Sequence, residues 1–121
     1  MRAKKVAIAV LFTVMLAVIL NSVYLHIGIE GICEVTEAAD VYSSDAETTY
    51  KKIYSDYKRH ERIISLTVNH DDLANIDDLY CEIIGELEVG DTDGASITKS
   101  RLIGALKHLW RLSKINIDSI I

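Results

Sequence analysis

Proline is absent from this 121-residue chain, and glycine occurs only six times. Both residues punctuate turns. With half of the residues hydrophobic, their scarcity argues against a turn-rich β fold and for helices. Cysteine occurs twice, at Cys33 and Cys81, and never as C-x-x-C, so neither a zinc site nor a thioredoxin-like redox centre is supported. No H-x-x-x-H pair, G-x-S-x-G, P-loop or G-x-G-x-x-G is present, which removes the usual short signatures of catalysis. Charge is missing from one long stretch: no acid, lysine or arginine stands between Lys5 and Glu30.

That stretch is the most informative part of the chain. Arg2, Lys4 and Lys5 precede an apolar run from Val6 to Leu20, and Asn21 to Leu25 close it. Carried on to Leu25, the run is about twenty residues, or about 30 Å of helix, the thickness of a hydrocarbon core. Tyr24 and His26 are ring side chains suited to the headgroup boundary. The early cations predict residues 1–5 in the cytoplasm, a transmembrane anchor over 6–25, and residues 26–121 outside the cell membrane. A cleaved secretory signal is the rival reading. No A-x-A site follows the run, and Glu30-Gly31-Ile32 before Cys33 does not resemble a lipoprotein processing site. Ala9, Thr13 and Ala17 repeat at i, i+4 and i+8, the spacing at which small residues let two membrane helices approach. Small residues also align by chance in any span.

All eighteen acids but only ten of the thirteen bases lie beyond the span, which leaves that part at −8. A domain so acidic is a poor partner for nucleic acid or anionic headgroups, and its surface charge is most simply a solubility device.

Beyond the span the apolar spacing reads as four helices, at about 26–42, 45–68, 71–89 and 94–113. Ile29, Ile32, Thr36 and Ala39 continue a heptad from Leu25. Ser44 to Glu47 reads as a capping box for the second helix, whose inner face is Ala46, Tyr50, Ile53, Tyr57, Ile64 and Val68. Its cations, among them Lys51 and Lys58, suit an outer face paired with neighbouring acids. Leu73, Ile76, Tyr80, Ile83, Ile84 and Leu87 repeat in the third helix, and Gly90 is its C-cap. The fourth carries Ala95, Thr98, Leu102, Ala105, Leu106, Leu109 and Leu112, with Asp93 as its N-cap and an apolar tail expected to pack back on the bundle or a partner. Short connections make consecutive helices antiparallel. The expected fold is all-α: an N-terminal transmembrane helix continuing into a small up-and-down helical bundle.

With those landmarks in place, the chain resembles a family of small, uncharacterised single-span membrane proteins of endospore-forming Gram-positive bacteria, built on a domain of unknown function. The likeness rests on the anchor, Tyr50 and Tyr57, Leu66-Thr67-Val68-Asn69-His70 with Asp72-Leu73-Ala74-Asn75-Ile76, Leu106-Lys107-His108-Leu109, and Asn116-Ile117. Tyrosine stands at positions 50 and 57 where the family more often has tryptophan. The resemblance implies an accessory role beside multi-span membrane proteins and carries no assigned activity.

Candidate chemistry is sparse. His70 beside Asp71 and Asp72 is a candidate switch, through a metal or through extracellular pH. The simpler reading is that it buttresses a helix junction. His60 and Glu61 add too few ligands for zinc. Asp91-Thr92-Asp93-Gly94 imitates part of a calcium loop, but its end positions fall on Val89 and Ser100. Cys33 and Cys81 each follow a core position in a compartment that permits disulfides, so a bridge and two unpaired thiols both fit. No metal or cofactor is expected. The chain reads as a non-enzymatic, membrane-anchored extracytoplasmic domain in the cell envelope. It would act by protein–protein interaction, as an accessory to another membrane or envelope protein or as a homo-oligomer. The alternative is an extracytoplasmic sensor or ligand-binding bundle using His70 with Asp71 and Asp72.

Overall fold

A computed structural model describes residues 2–64 and 70–120, except for the side chains of Leu25, Ile63 and residues 115–120. The patch from Leu66 to Asn69, with the core position Val68, lies outside the described residues. So do the side chains of Asn116, Ile117 and the rest of the tail.

Four helices account for almost everything described: α1 (Arg2–Ala38), α2 (Ala46–Ile64), α3 (His70–Glu88) and α4 (Thr92–Ile120), with no strand among the described residues. α1 packs on α2 and α4, and α3 packs on the same two. The four helices therefore form a ring in which α1 and α3 are diagonal. Contacts fix the directions. His26 near the base of the bundle meets Ser113, whereas Ala39 at its top meets Lys99 and Tyr50. Lys51 pairs with Glu88 at 3.4 Å and Lys58 with Asp77 at 3.2 Å. Neighbours thus run antiparallel, and the cations of α2 do pair with acids of α3. Such exposed pairs set register more than they add stability.

The heptad positions are the core. Ile29, Ile32, Thr36 and Ala39 of α1, Tyr50, Ile53, Tyr57 and Ile64 of α2, Leu73, Ile76, Tyr80 and Ile83 of α3, and Leu102, Leu106 and Leu109 of α4 are all buried. Leu79 and Ser113 are buried as well. Three fully buried tyrosines, Tyr50, Tyr57 and Tyr80, fill the centre. Tyr57 and Tyr80 rings lie 5.4 Å apart, and the partly buried Tyr54 also stands 5.4 Å from Tyr80. Thr36 donates to the Ile32 carbonyl at 2.8 Å, which uses its proton, so Tyr80 donates to Thr36 Oγ1 at 3.0 Å across the diagonal.

The helix ends differ in detail from the sequence expectation, and side-chain bonds explain why. α1 stops at Ala38, four residues before position 42, because the Asp40 carboxylate accepts the Tyr42 amide at 3.0 Å in a turn of its own. The freed Ala39 carbonyl accepts from Tyr50 at 2.8 Å and Lys99 at 2.7 Å. Asp45, not Ser44, caps α2: its carbonyl takes the first helical bond from Thr49 at 2.9 Å, while Glu47 turns to Lys51 at 2.9 Å and closes no capping box. Asp91, not Asp93, caps α4, its carboxylate accepting the Gly94 amide at 3.0 Å. That bond also accounts for the loop that imitates a calcium site. α4 runs on to Ile120 rather than ending at 113, so the tail continues the helix instead of folding back as a separate segment. No proline or glycine after Gly104 is available to stop it.

Gly90 behaves as a C-cap. Its φ is 78°, and the Asp91 and Gly90 amides donate back to Glu86 and Leu87 at 2.9 and 3.2 Å, the paired bonds of a Schellman ending. Alanine in that left-handed position costs about 1–2 kcal/mol. Gly90→Ala should lower the unfolding free energy from a urea titration by that amount without changing helix content, and an unchanged midpoint would show that the turn does not constrain the bundle.

Candidate interaction site

α1 is far longer than the bundle it joins. It is the one described helix long and apolar enough to cross a membrane, and none of that stretch is buried against the rest of the chain. Ala9, Thr13 and Ala17 are all exposed, and the Thr13 hydroxyl bonds back to the Ala9 carbonyl at 2.8 Å.

Inside the bundle α1 turns Ile29, Ile32 and Thr36 inward. A different face looks outward. At 100° per residue, Tyr24, Ile27, Gly31 and Val35 fall in one arc about 80° wide, and Ala9, Thr13 and Ala17 fall in the same arc. Tyr24, Ile27 and Val35 are 54%, 62% and 53% exposed, high for side chains of this size in a domain with a formed core. This face is one wall of a groove of about 280 Å³ whose other wall is Ile53, Asp56 and His60 of α2. His60 is held there by its Nδ1 against the Asp56 carbonyl at 2.9 Å and by loose stacking on Tyr24 at 6.3 Å. Its ring reaches within 3.4 Å of where a Cβ on Gly28 would stand, so that glycine admits the histidine.

A second cleft, of about 260 Å³, separates α1 from α4. Glu30 and Glu34 form one wall, Lys107 and Arg111 the other, with Cys33 and Trp110 between them. Lys107 meets Glu37 at 2.9 Å, and that bond raises the lysine above its ordinary range. Burial pushes the Cys33 thiol up, with Glu37 adding to it. Below, His26 Nδ1 bonds Ser113 Oγ at 2.7 Å, and Ser113 donates to the Trp110 carbonyl at 2.7 Å. The His26 ring lies 4.9 Å from Trp110, and Lys114 stands 5.6 Å from the same indole.

Of the two cysteine arrangements left open by the sequence, the structure has the unpaired one. Cys33 is buried beside α4, whereas Cys81 is exposed beside α2 with its thiol 3.7 Å from the Tyr54 hydroxyl. The two face opposite sides of the ring of helices, and both are free. The heptad placed each at the edge of a packed face but could not say which neighbour that edge met.

His70 and Asp71 are exposed on the first turn of α3, and Asp72 is half-buried. The cleft at His70 is lined by Lys58, Glu61 and Arg62, not by Asp71 and Asp72. Lys58 is itself engaged, 2.7 Å from Glu61 and 3.2 Å from Asp77, and these carboxylates raise it well above the ordinary lysine range. Asp77 Oδ1 receives that charge with poor hydrogen-bond direction, while Oδ2 accepts from Lys58 at 3.3 Å. Among the described residues no group of three or more His, Cys, Asp or Glu is placed to hold a metal ion.

The most extended feature is thus an apolar face that runs unbroken along α1 from its free half into a groove on the bundle. Sequence reading singled out its lower part, Ala9, Thr13 and Ala17, and missed Ile27, Gly31 and Val35. Their helical phase, fourteen or eighteen residues beyond the first three, is the signal that locates them. No family model matches the chain, and no curated protein or solved structure matches it.

Proposed function

We propose that this chain is a non-enzymatic, single-pass membrane protein whose helical bundle stands outside the cell and works by binding other membrane proteins. The observation that carries the proposal is the free half of α1, which is apolar, not buried against the rest of the chain and continuous with the first helix of the bundle. A helix that buries nothing in its own chain has bilayer or protein as its partner. Arg2, Lys4 and Lys5 at one end, and Tyr24 and His26 near the other, support a cytoplasmic N-terminus. The role fits the accessory position implied by the resemblance to single-span proteins of endospore formers. A sensor switched at His70 draws less support, since His70 shares its cleft with Lys58 and Arg62 rather than with Asp71 and Asp72.

The free thiols provide the test. Cys81 is exposed, whereas Cys33 is buried with its thiolate disfavoured. A membrane-impermeant maleimide applied to intact cells should therefore label one site per chain, and Cys81→Ser should abolish it. The protein should also stay in the membrane pellet after alkaline carbonate. Labelling only after permeabilisation would reverse the orientation, and release by carbonate would remove the anchor.

A further inference from the structure

We infer that the groove between α1 and α2 receives the α1 helix of a second copy of this chain, so that two copies pair as a parallel two-fold dimer. The inference rests on the membrane-anchored reading above and names the partner for the face described there.

Three observations converge. The first is phase. The groove wall formed by Ile27, Gly31 and Val35 lies on the same line as Ala9, Thr13 and Ala17, so its occupant must be a helix that emerges from the bilayer alongside α1. Anchored copies all share one orientation, so two α1 helices meet in parallel with equal residues at equal heights. The second is Gly31. It is exposed in mid-helix, has no positive φ, and a Cβ built on it meets no atom within 4 Å. Glycine in a helix interior is destabilising relative to alanine, and nothing within this chain uses the missing side chain. A second backbone crossing at Gly31 does use it.

The third observation is charge, and it selects a second copy over an unrelated helix. On the α1 side, past Ile27, the exposed Glu34 and Glu30 stand on the ridge that separates this groove from the α4 cleft, where they face Lys107 and Arg111. The helical phase of α2, with Ile53, Asp56 and His60 toward α1, puts the exposed Lys52 and Arg59 just beyond them on the opposite rim. Arg59 is held only loosely in its own chain, 3.7 Å from Asp56. The antiparallel register puts Arg59 near the height of Glu30, and Lys52 a little above Glu34. A two-fold axis along the helices carries the basic rim of one copy to the acidic ridge of the other, and it does so twice. The surface is therefore complementary to itself, as an isologous interface must be.

Cysteine crosslinking of the full-length chain in native membranes tests this, in a Cys33→Ser, Cys81→Ser background. Gly31→Cys and Ile27→Cys should form disulfide-linked dimers about ten-fold more than Asp78→Cys, an exposed α3 position away from the groove. Glu34→Lys or Arg59→Glu should each reduce the Gly31→Cys dimer several-fold, and the two together should restore it. Gly31→Leu should abolish bridging at Ile27→Cys while keeping the thermal midpoint, because the chain has open space there. Equal bridging at Gly31→Cys and Asp78→Cys, no dimer at all, or linkage to another protein instead would overturn the dimer, while the anchor stands if the chain stays in the carbonate pellet. Recovery of the chain in the soluble fraction would overturn the anchor and the dimer together.

Discussion

Replacing Tyr80 with alanine lowers the stability of the bundle by about 4 kcal/mol, the usual range for deleting a buried aromatic ring. Tyr80 has no exposed surface. Its ring touches both Tyr54 and Tyr57, and its hydroxyl reaches across the diagonal to Thr36. The alanine variant loses the packing and leaves a cavity between α1, α2 and α3. A bundle of this size has a total stability of only about 5–15 kcal/mol, so the variant should melt near physiological temperature. Tyr80→Phe separates the two contributions. It keeps the ring and removes one hydroxyl, and Thr36 still bonds the Ile32 carbonyl. That change should cost about 1 kcal/mol. Urea titration of the full chain in detergent, followed by circular dichroism, measures both. A Phe variant as unstable as the Ala variant would mean that the hydroxyl bridge, not the ring, holds the centre.

Alkaline pH attacks the same centre. Burial pushes the Tyr50 phenol up to about 12, and burial raises Tyr57 and Tyr80 as well. In the unfolded chain these phenols ionise near pH 10. Folded values above unfolded values mean that the stability they contribute is fully present below pH 10 and is lost as pH rises through the folded values. For Tyr50 alone, two pH units correspond to about 2.7 kcal/mol. Tyr57 and Tyr80 shift in the same direction, so the combined loss at high pH exceeds that of Tyr50 alone and becomes comparable to the whole stability. The share of phenolate absorbance that belongs to Tyr50, Tyr57 and Tyr80 should therefore rise in one cooperative step together with loss of near-ultraviolet dichroism, separate from that of the exposed Tyr24 and Tyr42. A gradual titration with the bundle intact would mean that the phenols are open to water. Tyr50→Phe should move the step to higher pH.

The tyrosine centre was legible before any coordinates, because Tyr50, Tyr57 and Tyr80 stand at heptad positions among Ile and Leu. So were the four helices and the glycine ending of α3, since periodicity and positive-φ chemistry are local properties. What was not legible depends on the order of helices around the ring. Cys33 and Cys81 occupy equivalent edges in sequence, yet one meets α4 and the other α2. The caps at Asp45 and Asp91 were displaced by one or two residues because several acids and serines compete for each end, and only the path of the chain decides among them. His26 with Ser113 joins residues 87 positions apart, which no local pattern encodes. The α1 face proposed for docking was half legible: its N-terminal portion shows as small residues, whereas its upper portion looks like ordinary heptad flank until α2 is in place.

The length of α1 has a mechanical consequence. Gly28 and Gly31 are the weakest helix formers where α1 enters the bundle, yet the helix passes them unbroken to Ala38, and the bundle has no hinge at its own base. Spans respond to bilayer thickness by tilting, commonly by about 20°. Over the roughly 20 Å between Leu25 and Ala38, such a tilt carries the top of the bundle sideways by about 7 Å. A flexible linker would absorb that displacement. In the proposed anchored state α1 would act as a lever, and bilayer thickness would set how the far end of the bundle leans toward its neighbours.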